Sequence, residues 1–144
     1  MPIAIASDHG GFTLKSLILE ELMRLGRTSV DLGVFSSERA DYPDQAKLLA
    51  EAILSGDSKM GVLICGTGIG MSITANRYKG IRAALCHDEY TARMSRQHND
   101  ANVLVLGGRV LGVETALGIL NVWLSTGFEG GRHIERLNKI ERLL

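Results

Sequence analysis

The run Val62-Leu63-Ile64-Cys65-Gly66-Thr67-Gly68-Ile69-Gly70-Met71 constrains this chain more than any other stretch. A short apolar segment ends in a cysteine, and three glycines follow at alternate positions with Thr67 between the first two. Ile69, Ile73 and Asn76 then recur at helical spacing, so the order is strand, tight loop, helix start. A loop of this kind turns several backbone N–H groups toward one spot beside the positive end of a helix dipole, where a phosphate, a carboxylate or a transient oxyanion is welcome. A thiol at the strand end stands on the rim of that spot and shares its field. The loop is no dinucleotide fingerprint: G-x-G-x-x-G fails at Met71 when counted from Gly66 and at Ile73 when counted from Gly68, and the Gly-Lys-Ser/Thr ending of a nucleotide P-loop is missing. A helix-packing turn after a buried strand, with Cys65 as a small core hydrophobe, accounts for the loop equally well.

Strand and helix patterns alternate along the whole chain. Ile3–Ala6 reads as a first strand, Ser29–Leu32 as a second, Ile81–Leu85 as a fourth and Val103–Leu106 as a fifth, with the run above as the third. Between them, Leu14, Leu17, Ile18, Leu22 and Leu25 mark one face of a helix stopped by Gly26. Asp41-Tyr42-Pro43-Asp44 starts another, with Ala46, Leu49, Ala50 and Ile53 as its buried stripe and Gly56 at its end. Glu89–Arg96 predicts a short helix, and Val113–Leu124 a longer one with Ala116, Leu117, Leu120 and Leu124 inward. A last helix, Arg132–Leu144, carries the stripe Ile134, Leu137, Ile140 and Leu144 with no strand after it to cover; it packs on its own sheet or reaches onto a partner subunit. The alternation predicts a three-layer α/β/α, Rossmann-like fold with a five-stranded parallel sheet. The 144 residues predict one domain spanning 1–144.

Sixteen basic and sixteen acidic residues cancel, which leaves no electrostatic footprint for nucleic acid. Cys65 and Cys86 stand 21 apart without metal-type pairing and read as free thiols in a reducing compartment. With no signal peptide and no apolar run of membrane-spanning length, the expectation is a cytoplasmic protein.

In open α/β sheets the ligand site lies at the carboxyl ends of the strands. Polar and glycine-rich residues collect there: Asp8 and His9 after the first strand, Cys65 to Gly70 after the third, His87 and Asp88 after the fourth, Arg109 after the fifth. Each has an ordinary structural reading. Asp8 suits a helix N-cap with His9 in the turn, His98-Asn99-Asp100 is a loop of turn formers before the fifth strand, and His87 reads as solvated. His133, on the last helix, adds no independent signal. Arg132 and Arg136 lie four apart on one helix face and would clamp a dianionic phosphate, or they form a solvated face beside Glu135 and Glu141. No cluster has metal-ligand spacing, and no nucleophile-elbow motif occurs.

Taken together, Ser7-Asp8-His9-Gly10-Gly11, Asp41-Tyr42-Pro43-Asp44, Ile64 to Ser72, Gly80-Ile81-Arg82-Ala83-Ala84, Ser95 to Asn102 and Gly130-Gly131-Arg132-His133 resemble the type B ribose-5-phosphate isomerases. That family also holds galactose 6-phosphate and allose 6-phosphate isomerases. The resemblance implies a metal-free, cofactor-free aldose–ketose isomerisation of ribose 5-phosphate through an enediolate. It implies a homodimer with sites between subunits and the last helix crossing to the partner; pairing of dimers into tetramers is left open. It assigns Cys65 as the base that moves the proton between C2 and C1 and His98 to ring opening. It gives Asp8, His9 and Asn99 the sugar hydroxyls. The backbone of Gly66, Gly68, Ile69 and Gly70, with the Thr67 hydroxyl, binds the enediolate, and Arg109, Arg132 and Arg136 take the phosphate. One branch of the family places a glutamate on the glycine loop, where Met71 stands here, so the resemblance is to the cysteine branch. A six-carbon sugar phosphate is the alternative substrate. A non-catalytic nucleotide- or phosphate-binding module is the alternative class, with no role for the thiol, and a structural dimerisation domain is a third.

Overall fold

The computed structural model describes residues 1–143. Five strands, β1 (Ile3–Ser7), β2 (Ser29–Asp31), β3 (Gly61–Cys65), β4 (Ala83–Leu85) and β5 (Val103–Gly107), form one parallel sheet in the order β2-β1-β3-β5-β4. Six helices connect and follow them: α1 (Phe12–Arg24), α2 (Tyr42–Leu54), α3 (Ile69–Ala75), α4 (Glu89–Gln97), α5 (Val113–Ser125) and α6 (Arg132–Glu141). Every residue of β1, β3 and β5 is buried, as unbroken apolar runs covered on both faces require. Alternate residues divide between two cores. Ile3, Ile5, Val62, Ile64, Leu104 and Leu106 pack under α1, α4 and α5; Ala4, Ala6, Leu63, Cys65, Val103 and Val105 pack under α2 and α3. This is the three-layer arrangement the sequence predicts.

The helix faces depart from the periodic reading in places that matter. In α1 it is Lys15, 1% exposed, that turns inward, while Leu17 is half-buried and Leu25 exposed. The ammonium can be buried because Nζ donates to the Asp31 carboxylate and to the Val34 carbonyl, and because the Phe12 and Phe35 rings lie 5.6 and 5.3 Å away. In α3, Met71 and Ala75 are buried and Ile69 and Ile73 point outward. In α5, Ile119 and Trp123 join Ala116 and Leu120 inside, leaving Leu117 and Leu124 at the margin. In α6, His133 and Leu137 turn inward and Ile134 and Ile140 are half-exposed; Leu144, the last member of the expected stripe, lies outside the described residues.

The outer strand β4 is only three residues long, shorter than the sequence predicts. The side-chain amide of Asn76 closes its free edge: Nδ2 donates to the Ala83 carbonyl at 3.0 Å and Oδ1 accepts the Ala83 N–H at 2.8 Å.

The chain reverses direction across the sheet between β1 and β3, so the loops after these strands diverge from a topological switch point. The loop after β5 closes on them. Gly108 N–H donates to the Cys65 carbonyl at 2.8 Å and Arg109 N–H to the Gly66 carbonyl at 2.9 Å. The approach is so close that a Cβ on Gly107 would stand 2.6 Å from the Thr67 carbonyl oxygen. Gly107→Ala is therefore expected to cost about 1–3 kcal/mol by forcing the two loops apart. Urea unfolding checks this, and a variant within about 0.5 kcal/mol of wild type, the range of an ordinary surface change, would show that the loops yield freely.

Candidate active site

The Cys65 loop, the turn after β1 and helix α2 enclose an open cavity of about 450 Å³ lined by Asp8, Tyr42, Cys65, Gly66, Thr67, Ile69, Gly70 and Ile73. Cys65 is 4% exposed, and the Gly68 N–H donates to its Sγ at 3.1 Å. Gly68 holds φ +81°, the left-handed conformation that turns the chain from this loop into α3. The Thr67 hydroxyl accepts the Ile69 N–H at 3.2 Å. Helix α3 has only seven residues, so the donors here are the loop's own amides more than the dipole the sequence predicts. Asp8, 6% exposed, caps the first turn with Oδ1 accepting from Gly10 and Gly11 N–H at 2.9 and 3.2 Å. Its structural reading as a cap therefore holds, and it still lines the cavity. His9 follows, its Nδ1 3.1 Å from both the backbone nitrogen and the carbonyl oxygen of Ala40, so either tautomer has a partner there. The Arg109 side chain lies over Gly66, close enough that a Cβ there would be 3.5 Å from Nη1.

The remaining predicted residues gather elsewhere. His98 ends α4, and Asn99 lies in the turn that leads into the start of β5. Arg132 and Arg136 sit on α6 beside them. The two clusters occupy opposite ends of the strands: Cys65 pairs with Gly107 at one end and Gly61 with Val103 at the other. Four strand steps put about 13 Å between them along the sheet. One chain thus joins Asp8, His9, Cys65, Thr67, Gly66, Gly68, Ile69, Gly70 and Arg109, and separately His98, Asn99, Arg132 and Arg136.

The second cluster contains features the sequence left unread. The His98 and His133 rings stack at 4.3 Å with planes 16° apart, and Glu129 Oε1 lies 3.7 Å from His98 Nε2. Among the described residues these three are the group whose ligand atoms lie close enough, within 4.8 Å, to suggest a metal ion. Near-parallel rings, however, direct their in-plane lone pairs side by side rather than at a common point, a poor match to tetrahedral coordination. Desolvation holds the His133 pKa below its ordinary value, with His98, Arg132 and Arg136 adding to the effect and Glu129 opposing it. A second cavity, about 400 Å³ and mostly apolar, borders this cluster between β4 and α6; it touches Asn99 but no nucleophile.

Tyr42 was also missed as a site residue. Its ring covers Gly70, where a Cβ would meet it at 2.4 Å. The Asp41-Tyr42-Pro43-Asp44 motif held the signal, as a helix start and as one of the stretches of the family resemblance, but neither gave Tyr42 a role at the site. His87 is exposed, as expected, and Asp88 caps α4, with Oδ1 accepting the Thr91 N–H at 2.7 Å; that bond holds its carboxyl below the usual range. Cys86 is buried among apolar side chains away from the cavity, and burial pushes its thiol pKa up.

Residues 3–140 match the family model described as Ribose/Galactose Isomerase. The ribose-5-phosphate isomerase B of Escherichia coli K12 is 49% identical over 138 residues, covering 96% of this chain and 93% of that protein. The solved ribose-5-phosphate isomerase B of Clostridium thermocellum superposes with a TM-score of 0.98 at 50% identity, covering 99% of this chain and 97% of that one. The enzyme of that name from Mycoplasma genitalium, solved with bound ribulose 5-phosphate, gives a TM-score of 0.94 at 44% identity, with 99% and 95% covered. Loop chemistry, fold and sequence agree on an isomerase of sugars, and the chain belongs to the ribose/galactose isomerase family.

The His133 environment has a consequence for stability. The unfolded chain takes up a proton on this ring near pH 6.5 while the folded chain resists it, so the contribution is full above about 6.5 and is lost as the pH falls from there toward the lower folded value. Unfolding free energies measured from pH 7.5 to 5 should fall more steeply in wild type than in His133→Gln; equal slopes would remove this group as the cause.

Proposed function

We propose that this protein interconverts D-ribose 5-phosphate and D-ribulose 5-phosphate through an enediolate, with the thiolate of Cys65 as the base and no metal or cofactor in the reaction. The observation that carries the reading is a buried thiol held against a backbone donor in a loop able to receive an oxyanion. The C2 proton of an open-chain aldose is a weak acid, and removing it needs a positioned base and stabilisation of the new charge. His98 assists ring opening, moving a proton from the anomeric hydroxyl to the ring oxygen. Cys65 then takes the C2 proton, and the pair left behind forms the enediolate, whose O1 charge is met by the N–H groups of Gly66 to Gly70 and the Thr67 hydroxyl. Return of the proton to C1, with transfer of the O2 proton to O1, gives the ketose with no net oxidation. Asp8, His9 and Asn99 hold the hydroxyls, and Arg109, Arg132 and Arg136 hold the phosphate.

This role requires a second copy. His98, Asn99, Arg132 and Arg136 stand at the wrong end of their own sheet to meet their own Cys65, so in the proposed homodimer each chain completes the other's site. The half-exposed Ile69, Ile73, Ile134 and Ile140 beside the two clusters supply apolar surface for that contact. Residues 1–144 act as one isomerase domain in the cytoplasm, at the isomerisation step of the pentose phosphate pathway. Among the described residues no helix is long and apolar enough to cross a membrane, which accords with that location.

Conversion of ribose 5-phosphate should survive EDTA and drop by about 10²–10⁴-fold or more in Cys65→Ala, the span a positioned base contributes, with the circular dichroism spectrum unchanged. Wild-type turnover in that variant would remove Cys65 as the base. Activity confined to galactose 6-phosphate or allose 6-phosphate would replace the five-carbon substrate.

A further inference from the structure

Arg82 carries none of the chemistry above, yet both parts of the second cluster converge on it. Its Nε donates to the Asn99 carbonyl at 3.0 Å and to the Asp100 carbonyl at 3.2 Å, and Nη2 donates to the same Asp100 carbonyl at 3.0 Å. Its Nη1 reaches the other way, to Glu141 Oε1 at 2.8 Å on the last turn of α6. The guanidinium is about one-fifth exposed. Its backbone is fixed as well, with the N–H on Asn102 Oδ1 at 2.8 Å.

The turn it grips needs holding. Asp100 sits at φ +43°, a left-handed conformation that non-glycine residues seldom keep unaided. Arg96 takes the Asp100 carboxylate at 3.0 Å and the Ala101 carbonyl, and Arg82 takes the carbonyls on the other side. The helix it grips needs a second anchor. Near its start α6 meets the turn through the His133–His98 stack and midway it buries Leu137, but over a helix of ten residues, about 15 Å long, these leave the last turn to be held separately. The Arg82–Glu141 pair pins the far end, and Glu141 Oε2 also accepts the Gly80 N–H at 3.2 Å.

We infer that Arg82 is a positioning residue: it locks the His98–Asn99 turn and the arginine-bearing helix α6 into one unit, so that ring-opening group and phosphate clamp face the substrate together. The inference rests on the isomerase reading. It requires an arginine. A lysine keeps the charge but has no planar fork, and cannot serve two carbonyls and a carboxylate in opposite directions at once.

The experiment compares full-length wild type, Arg82→Lys and Glu141→Gln by melting temperature, by steady-state turnover of ribose 5-phosphate well below the melting point, and by the proton NMR signals of the His98 ring, assigned against His98→Asn. In Arg82→Lys, kcat should fall about 10²-fold, the cost of a misplaced group, and the His98 signals should move. In Glu141→Gln, which leaves the turn gripped, KM should rise about tenfold with kcat within about twofold, since what loosens is phosphate binding. A purely structural role predicts lower melting temperatures with both constants unchanged in the folded enzyme, and that result would overturn the inference. If Arg82→Lys fails to fold, an unchanged KM in Glu141→Gln overturns it alone. Wild type silent on ribose 5-phosphate would sink the substrate reading instead. The inference would then stand on shifted His98 signals in Arg82→Lys and fall on unmoved ones.

Discussion

The structure depends on backbone touching backbone where three loops meet at the carboxyl ends of β1, β3 and β5. A Cβ on Gly11 would stand 2.5 Å from the Ile64 carbonyl oxygen, and one on Gly107 2.6 Å from that of Thr67. Hydrogen bonds cross the same seams, from Asp8 N–H to the Ile64 carbonyl at 3.2 Å and from Gly108 N–H to the Cys65 carbonyl at 2.8 Å. With no side chains between them, the loops cannot shift independently. The thiol, the Thr67 hydroxyl and the Asp8 carboxylate therefore hold fixed relative positions before any ligand arrives, which is the condition for electrostatic stabilisation without reorganisation.

A different economy holds at the other end of the strands. The His98 turn is built from side chains rather than from close backbone contact: two arginines, three carboxylates and a pair of stacked rings set its shape. Exposed ion pairs are individually weak, but a guanidinium shared among backbone carbonyls and a carboxylate has a fixed geometry. The chain thus carries a stiff cluster made of glycines at one end of its strands and a braced cluster made of charges at the other.

The architecture was legible because β1, β3 and β5 are continuous apolar runs separated by helical periods, and because Gly26, Gly56 and Pro43 punctuate them where the helices end or begin. The first cluster was legible for the same reason, since its residues directly follow strands. Lys15 was not, because a buried lysine depends on Asp31 and Val34, partners that periodicity cannot supply. Nor were the outward Ile69 and Ile73: their helical spacing is real, but spacing does not say which side of α3 faces the sheet. The separation of His98 from Cys65 follows from strand polarity: in a parallel sheet a residue that precedes β5 lies at the opposite end from one that closes β3, although the two strands are neighbours.

The small amide bridge of Asn76 limits how the sheet can grow past β4. An unpaired outer strand is a template on which further strands can be laid without limit. By occupying both the donor and the acceptor of Ala83, Asn76 ends the ladder from within the chain. A second chain meeting this rim would have to do so through side chains rather than by extending the sheet. The same few atoms thus give the β4 edge a boundary that the chain itself supplies.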